Sequence, residues 1–193
     1  MGQESITKNN VPIRYNTRKP YLNNIGSLFE ERTSELKLVK SHHVGLTVLS
    51  LEKSLKFYRD IIGLEEVFSW NPKADYIKRV TGYMDADFHI SVLRVPNSES
   101  FLELLEYRGS EKVEIDHRTG NPGIAHIAFQ VEDVDSFFHF LKSKGVQSVS
   151  EPVTPSAGPN EGGRVVYMID PDGFRVELIQ TKKSFGDFSP KKV

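Results

Sequence analysis

The chain has no cysteine among its 193 residues. That excludes disulfides, thiolate metal sites and thiol nucleophiles. It also lacks any apolar run near the about 18 residues that a membrane-crossing helix requires. Neither sign of charge dominates: the formal net charge is −1, which gives no reason to expect nucleic acid or an anionic membrane as partner. The opening segment, MGQESITKNN, does not run from basic to apolar as a secretory signal does, and Ile6 stands where a myristoylation motif needs Ser or Thr. What remains is an ordinary globular composition, 38% hydrophobic and 26% charged. The default expectation is a cytoplasmic protein that acts on a small molecule.

Breakers and charge divide the chain into five stretches. Residues 1–37 form a polar N-terminal arm punctuated by Pro12, Pro20 and Asn23-Asn24, with room for one short helical piece near residues 28–36. A first module covers 38–110, a charged linker 111–122, a second module 123–181, and a polar tail 182–193. In the first module, residues 38–49 read as a strand. Ser50 then serves as N-cap, and Leu51, Leu55, Tyr58 and Ile62 fall at helical spacing before a left-handed cap at Gly63. A strand over 65–70 and a segment with room for a helical turn follow, and then a hairpin over 88–95 and 101–107 that turns at Pro96-Asn97-Ser98. The second module repeats this order: a strand over 125–131, Asp133 as N-cap, a helix stripe of Val134, Phe137, Phe138 and Leu141, a cap at Gly145, then strands near 147–150, 164–169 and 174–180.

The repetition is specific at the residue level. An offset of 83 carries His43 to His126, Val48 to Val131, Ser50 to Asp133 and Leu55 to Phe138. Each module also ends on a strand with one glutamate between apolar neighbours, Leu102-Glu103-Leu104 and Val176-Glu177-Leu178. Side chains alternate across a strand, so His43, Gly45 and Thr47 share one face, and His126, Ala128 and Gln130 the equivalent one. Arg175, Glu177 and Ile179 likewise oppose Val176 and Leu178. A mid-strand glutamate among bulky apolar residues is costly to bury unpaired. A metal ion removes that cost, as a nearby Arg or Lys would, and two histidines with two carboxylates in matched positions are a donor set for a divalent ion. The plainer alternative for Glu103 is a solvated edge strand, with Glu106 as a second outward charge.

The segments His43-Val44-Gly45-Leu46-Thr47-Val48 and Phe57-Tyr58-Arg59-Asp60, together with Asp170-Pro171-Asp172-Gly173 before Val176-Glu177-Leu178, resemble the vicinal oxygen chelate superfamily. Its members include glyoxalase I, methylmalonyl-CoA epimerase, extradiol dioxygenases and the bleomycin resistance proteins. The resemblance spans roughly residues 38–181. It implies an α+β fold: two βαβββ modules forming a cup-shaped curved mixed sheet with helices on the outside. It also implies a metal site built from His43, Glu103, His126 and Glu177, holding Zn, Ni, Mn, Co or Fe(II), and it implies assembly as a homodimer. His42 is a neighbour of the motif histidine, expected on the opposite face.

The activity that follows is a metal-dependent, glyoxalase-like lyase or isomerase. The ion would act as Lewis acid toward adjacent substrate oxygens and stabilise an enediolate. Glu177, with Glu103 as the other candidate, would serve as the base. Two alternatives stay open. An extradiol dioxygenase would hold Fe(II) with His43, His126 and Glu177 alone, and a bleomycin-resistance-type protein would bind a drug or metabolite without catalysis. Arg118 and Arg164 are candidate anchors for an anionic substrate group. The run Gly158-Pro159-Asn160-Glu161-Gly162-Gly163 precedes no helix, so it reads as a rim loop or lid and not as a phosphate cradle. His89, His117 and His139 have no repeat partner and read as ordinary surface or helix residues.

Overall fold

In the computed structural model, residues 37–183 are described. The arm, except for its last residue, and the tail beyond residue 183 lie outside them. The first module contains β1 (Val44–Val48), α1 (Leu51–Leu55) running into a π-helical turn (Lys56–Ile61), β2 (Glu65–Trp70), α2 (Asp75–Thr81), β3 (Asp87–Arg94) and β4 (Phe101–Arg108). The second contains β5 (His126–Gln130), α3 (Val134–Ser143), β6 (Gln147–Ser148), β7 (Arg164–Ile169) and β8 (Arg175–Gln180). Each builds an open four-stranded mixed sheet, in the orders β1-β4-β3-β2 and β5-β8-β7-β6. The first strand of each pairs in parallel with the last, and the other ladders are antiparallel. The α+β class expected from the sequence is the class observed.

Local chemistry explains the helix boundaries. The Ser50 hydroxyl accepts from the Lys53 amide at 3.4 Å, and Asp133 accepts from the Ser136 amide at 3.0 Å, so both predicted N-caps hold the first turn. Gly63 and Gly145 leave their helices at φ +96° and +81°, where a side chain would be strained. Leu102 and Leu104 of β4, Val176 and Leu178 of β8, and Phe138, Leu141 and Tyr58 from the helical segments join one core shared by both modules. Each sheet therefore gives that core the face opposite its glutamate.

Two expectations need correction. Residues 38–43 are not strand: β4 begins at Phe101, so its parallel ladder meets the chain only from Val44 onward. His43 thus lies one residue before β1, and Val44, which alternation sets on the face opposite Gly45 and Thr47 together with buried Val48, is exposed. In addition, the segment after β2 contains a full helix, α2, which has no counterpart in the second module.

Candidate metal centre

Glu103 and Glu177 project from the centres of β4 and β8, each between neighbours that are almost fully buried. Register places Gly45 beside Glu103 and Ala128 beside Glu177. These small residues keep the floor low next to each carboxylate; a Cβ added at Gly45 would lie 3.8 Å from Glu103 Oε2. Into this space come the histidines. His43 Nε2 stands 3.2 Å from Glu103 Oε2, and His126 Nε2 stands 3.1 Å from Glu177 Oε2. The two dyads are built alike, and in each the carboxylate is covered while the imidazole reaches solvent.

The donor chemistry fits a divalent ion. An unprotonated imidazole nitrogen and an ionised carboxylate oxygen at this separation repel each other unless a proton or a cation lies between them. Imidazole with carboxylate suits borderline metals such as Zn, Ni, Co, Mn or Fe(II). Within the chain, however, the four side chains come together as two pairs. Among the described residues no three His, Asp or Glu side chains gather closely enough to hold one ion. The shared core accounts for this, because both sheets turn their dyad faces away from it.

The surroundings of the two dyads differ. His42 Nδ1 lies 2.7 Å from His43 Nδ1 with the rings edge to face. His42 does not point to the opposite face as strand alternation would require, because both residues precede the ladder. In the second module the Tyr167 ring meets His126 edge to face at 5.4 Å. Burial first, and then the charge of Glu177, push the Tyr167 phenol above its ordinary pKa. Arg118 and Arg164, nominated as anchors, are already occupied. Arg118 is held by Asp116, and Arg164 Nε donates to Asp135 Oδ2 at 2.9 Å. Arg175, two positions before Glu177 on the same face, has no acidic partner among the described residues. Strand alternation had already placed it there. The glycine run is fixed at one end: a Cβ on Gly163 would lie 2.2 Å from the Gln180 carbonyl oxygen.

Comparison with known proteins agrees with this architecture. The family profile described as Glyoxalase/Bleomycin resistance protein/Dioxygenase superfamily matches residues 40–178, and the chain belongs to that superfamily. Among its relatives is a 2-epi-5-epi-valiolone epimerase from Actinomyces sp., 32% identical over 145 residues, covering 73% of this chain and 79% of the relative. A lactoylglutathione lyase from Haemophilus influenzae is also 32% identical over 145 residues, covering 74% of this chain and 93% of its own. A crystal structure of a glyoxalase family protein from Bacillus cereus superposes with a TM-score of 0.66 at 25% identity, covering 78% of this chain and 99% of that one.

Proposed function

We propose that this protein is a divalent-metal-dependent lyase or isomerase for a small substrate with adjacent oxygens, and that His43, Glu103, His126 and Glu177 are its metal ligands. The observation that carries this reading is the matched pair of dyads, with Nε2–Oε2 separations of 3.2 and 3.1 Å at equivalent places in two modules. Relatives named as an epimerase and as lactoylglutathione lyases support a reaction of this class. When bound, the ion would polarise the substrate's adjacent oxygens and stabilise negative charge on them. The protein's own part is proton movement. A carboxylate oxygen of Glu177, or of Glu103, takes the proton from the carbon beside the carbonyl and returns it to the neighbouring carbon or to the same carbon from the other side.

The dyad faces look away from the core that the modules share, and Gly45, Thr47, Ala128 and Gln130 on those faces are exposed. The quartet is therefore completed in a homodimer, where the first dyad of one copy meets the second dyad of the other. Direct pairing of Glu103 with His43 favours four protein ligands over the three of an extradiol dioxygenase. Metal content after chelator-free purification, read with light scattering, tests both parts. The wild type should be a dimer with about one ion per chain. His126→Ala and Glu177→Ala should stay folded and lose the ion, and Glu103→Gln should retain it more weakly. Unchanged metal content in both alanine variants would reject the ligand set. Strict dependence on Fe(II) with O₂ uptake on catechol would move the protein to the dioxygenase class.

A further inference from the structure

The donors are duplicated, but the walls around them are not. In the first module Glu103 shares a cross-strand row with Gly45, Val92 and Phe68, and the next row contains Thr47, Leu105, Ile90 and Trp70. On this same face α2 packs through Ile77 against Ile90, Phe88 and Ala86, with Leu105 and Tyr107 beside them. The Tyr76 ring stacks on Trp70 at 6.5 Å. Phe68, Trp70 and Tyr76 nevertheless remain 55%, 39% and 48% exposed. The result is an exposed aromatic shelf beside Glu103, with Trp70 and Tyr76 stacked at 26° and Phe68 tilted 53° from Trp70. The cation at its edge, Arg94, is neutralised by Glu65 at 2.8 Å.

The second module presents a different wall. The row of Glu177 contains Ala128 and Tyr167, and the adjoining row contains His126, Arg175, Ile169 and Gln147. At the position where the first module has Phe101, two before the glutamate, this one has Arg175. Two residues along a strand span about 6.6 Å, so the guanidinium can reach a group a few bonds from the ligating oxygens. Charge adds to this. Two carboxylates offset a divalent ion, and Arg175 leaves the combined site with a surplus positive charge.

We infer that the substrate is a compact acid bearing a flat ring: Arg175 receives its carboxylate, the shelf of Phe68, Trp70 and Tyr76 receives its ring, and the adjacent oxygens lie between them. The planar fork of arginine suits a carboxylate, and stacked aromatic rings suit a flat apolar group. This inference rests on the two dyads closing on one ion. It goes further by naming what flanks the adjacent oxygens.

The chain's single tryptophan, Trp70, lies on the shelf and reports binding by its fluorescence. The probe is N-hydroxy-N-phenylsuccinamate, which has a phenyl ring, two adjacent oxygens and a carboxylate in that order. Its methyl ester lacks the charge, and N-hydroxy-N-methylsuccinamate lacks the ring. Titration of the metal-loaded full chain should show the complete probe binding about tenfold or more tighter than the ester, the usual scale for a lost contact to a charged group, and several-fold or more tighter than the N-methyl analogue, about the scale of a lost aromatic pair. Arg175→Met should abolish the advantage over the ester and keep the advantage over the N-methyl analogue, with metal content unchanged by elemental analysis. Equal binding of probe and ester by wild type, or of probe and N-methyl analogue, would overturn the inference while leaving the metal site standing. Loss of the ion from Arg175→Met would overturn it too, by making Arg175 a support of the ion. A wild-type chain that retains no ion would reject both this inference and the proposed function beneath it.

Discussion

Replacing Tyr58 by Phe should be costly although nothing but one oxygen is removed. Tyr58 is fully buried, and its hydroxyl donates to Asp170 Oδ2 at 2.9 Å. Asp170 is itself 4% exposed, and its other oxygen accepts from the Asp172 and Phe174 amides at 2.9 and 2.8 Å. Asp172 in turn accepts from the Leu49 amide at 2.8 Å. Thus the Phe57-Tyr58-Arg59-Asp60 segment of one module binds the Asp170-Pro171-Asp172-Gly173 turn of the other, and that turn leads directly into β8. Phe fills the same volume, so the loss is that of a hydrogen bond to a buried carboxylate, about 1.5–3 kcal/mol. For a chain of this size each kcal/mol moves the melting point by about 2–4 °C, so a drop of about 3–12 °C is expected. The sign with pH follows from Asp170. Burial raises its pKa, and the Tyr58 hydrogen bond pulls it back by favouring the ionised form. The penalty for Tyr58→Phe is therefore full at neutral pH and fades as acid protonates Asp170. Urea unfolding of both proteins at neutral and acidic pH measures this. A neutral-pH difference below about 0.5 kcal/mol, the range of ordinary surface changes, would refute the coupling.

Two other substitutions probe the frame of the site. Gly163→Ala would place a Cβ 2.2 Å from the Gln180 backbone oxygen at the end of β8, so the loop must shift; overpacking of this kind costs about 1–3 kcal/mol, readable in the urea midpoint, and an unchanged midpoint would mean the loop moves freely. Asp87 is held at about 2, below its usual 3.8, by Lys73 first and His89 second. The stability this gives is present above 3.8 and is lost as pH falls through about 2. Asp87→Asn should therefore lower the melting point slightly at neutral pH, with the gap closing in strong acid and in high salt; a gap that persists in acid would contradict the pairing.

Much of this fold was legible because it is written twice. The 83-residue offset aligned the first strands, N-caps and helix stripes, and an offset of 74 aligned the glutamate strands, without any outside reference; alternation assigned the glutamates to the face opposite Leu102, Leu104, Val176 and Leu178. Where reading failed, tertiary contacts decided. Nothing local starts β1 at Val44; its parallel ladder with β4, which opens at the pair Val44–Leu102, does. The helix α2 has Ala74 at its N-cap with no side-chain hydrogen bond, so its start signal is weak, and packing of Ile77 on the sheet supports it. Among the arginines, Asp116 beside Arg118 was visible in the sequence, but Asp135 meets Arg164 across 29 residues and was not. The separation of the dyads was hidden for the same reason, because no local pattern states which sheet faces two modules will bury together.

Under the proposed ligand set, duplication also sets a problem that the divergent walls would answer. Two matched His–Glu pairs around one ion form a donor set with approximate twofold symmetry, and a substrate unit of two adjacent oxygens is nearly symmetric as well. Such a site would accept its substrate in either direction, and a carboxylate placed to take a proton from one carbon would meet the wrong end half the time. Orientation must come from groups outside the quartet. Phe101 opposite Arg175 and Val92 opposite Tyr167 break the symmetry at equivalent positions, one wall apolar and the other polar and positively charged. On the proposed reading, the wall that receives the anion would fix which carboxylate lies nearest the acidic carbon, and changing the walls would change the direction of proton movement with the ligands untouched.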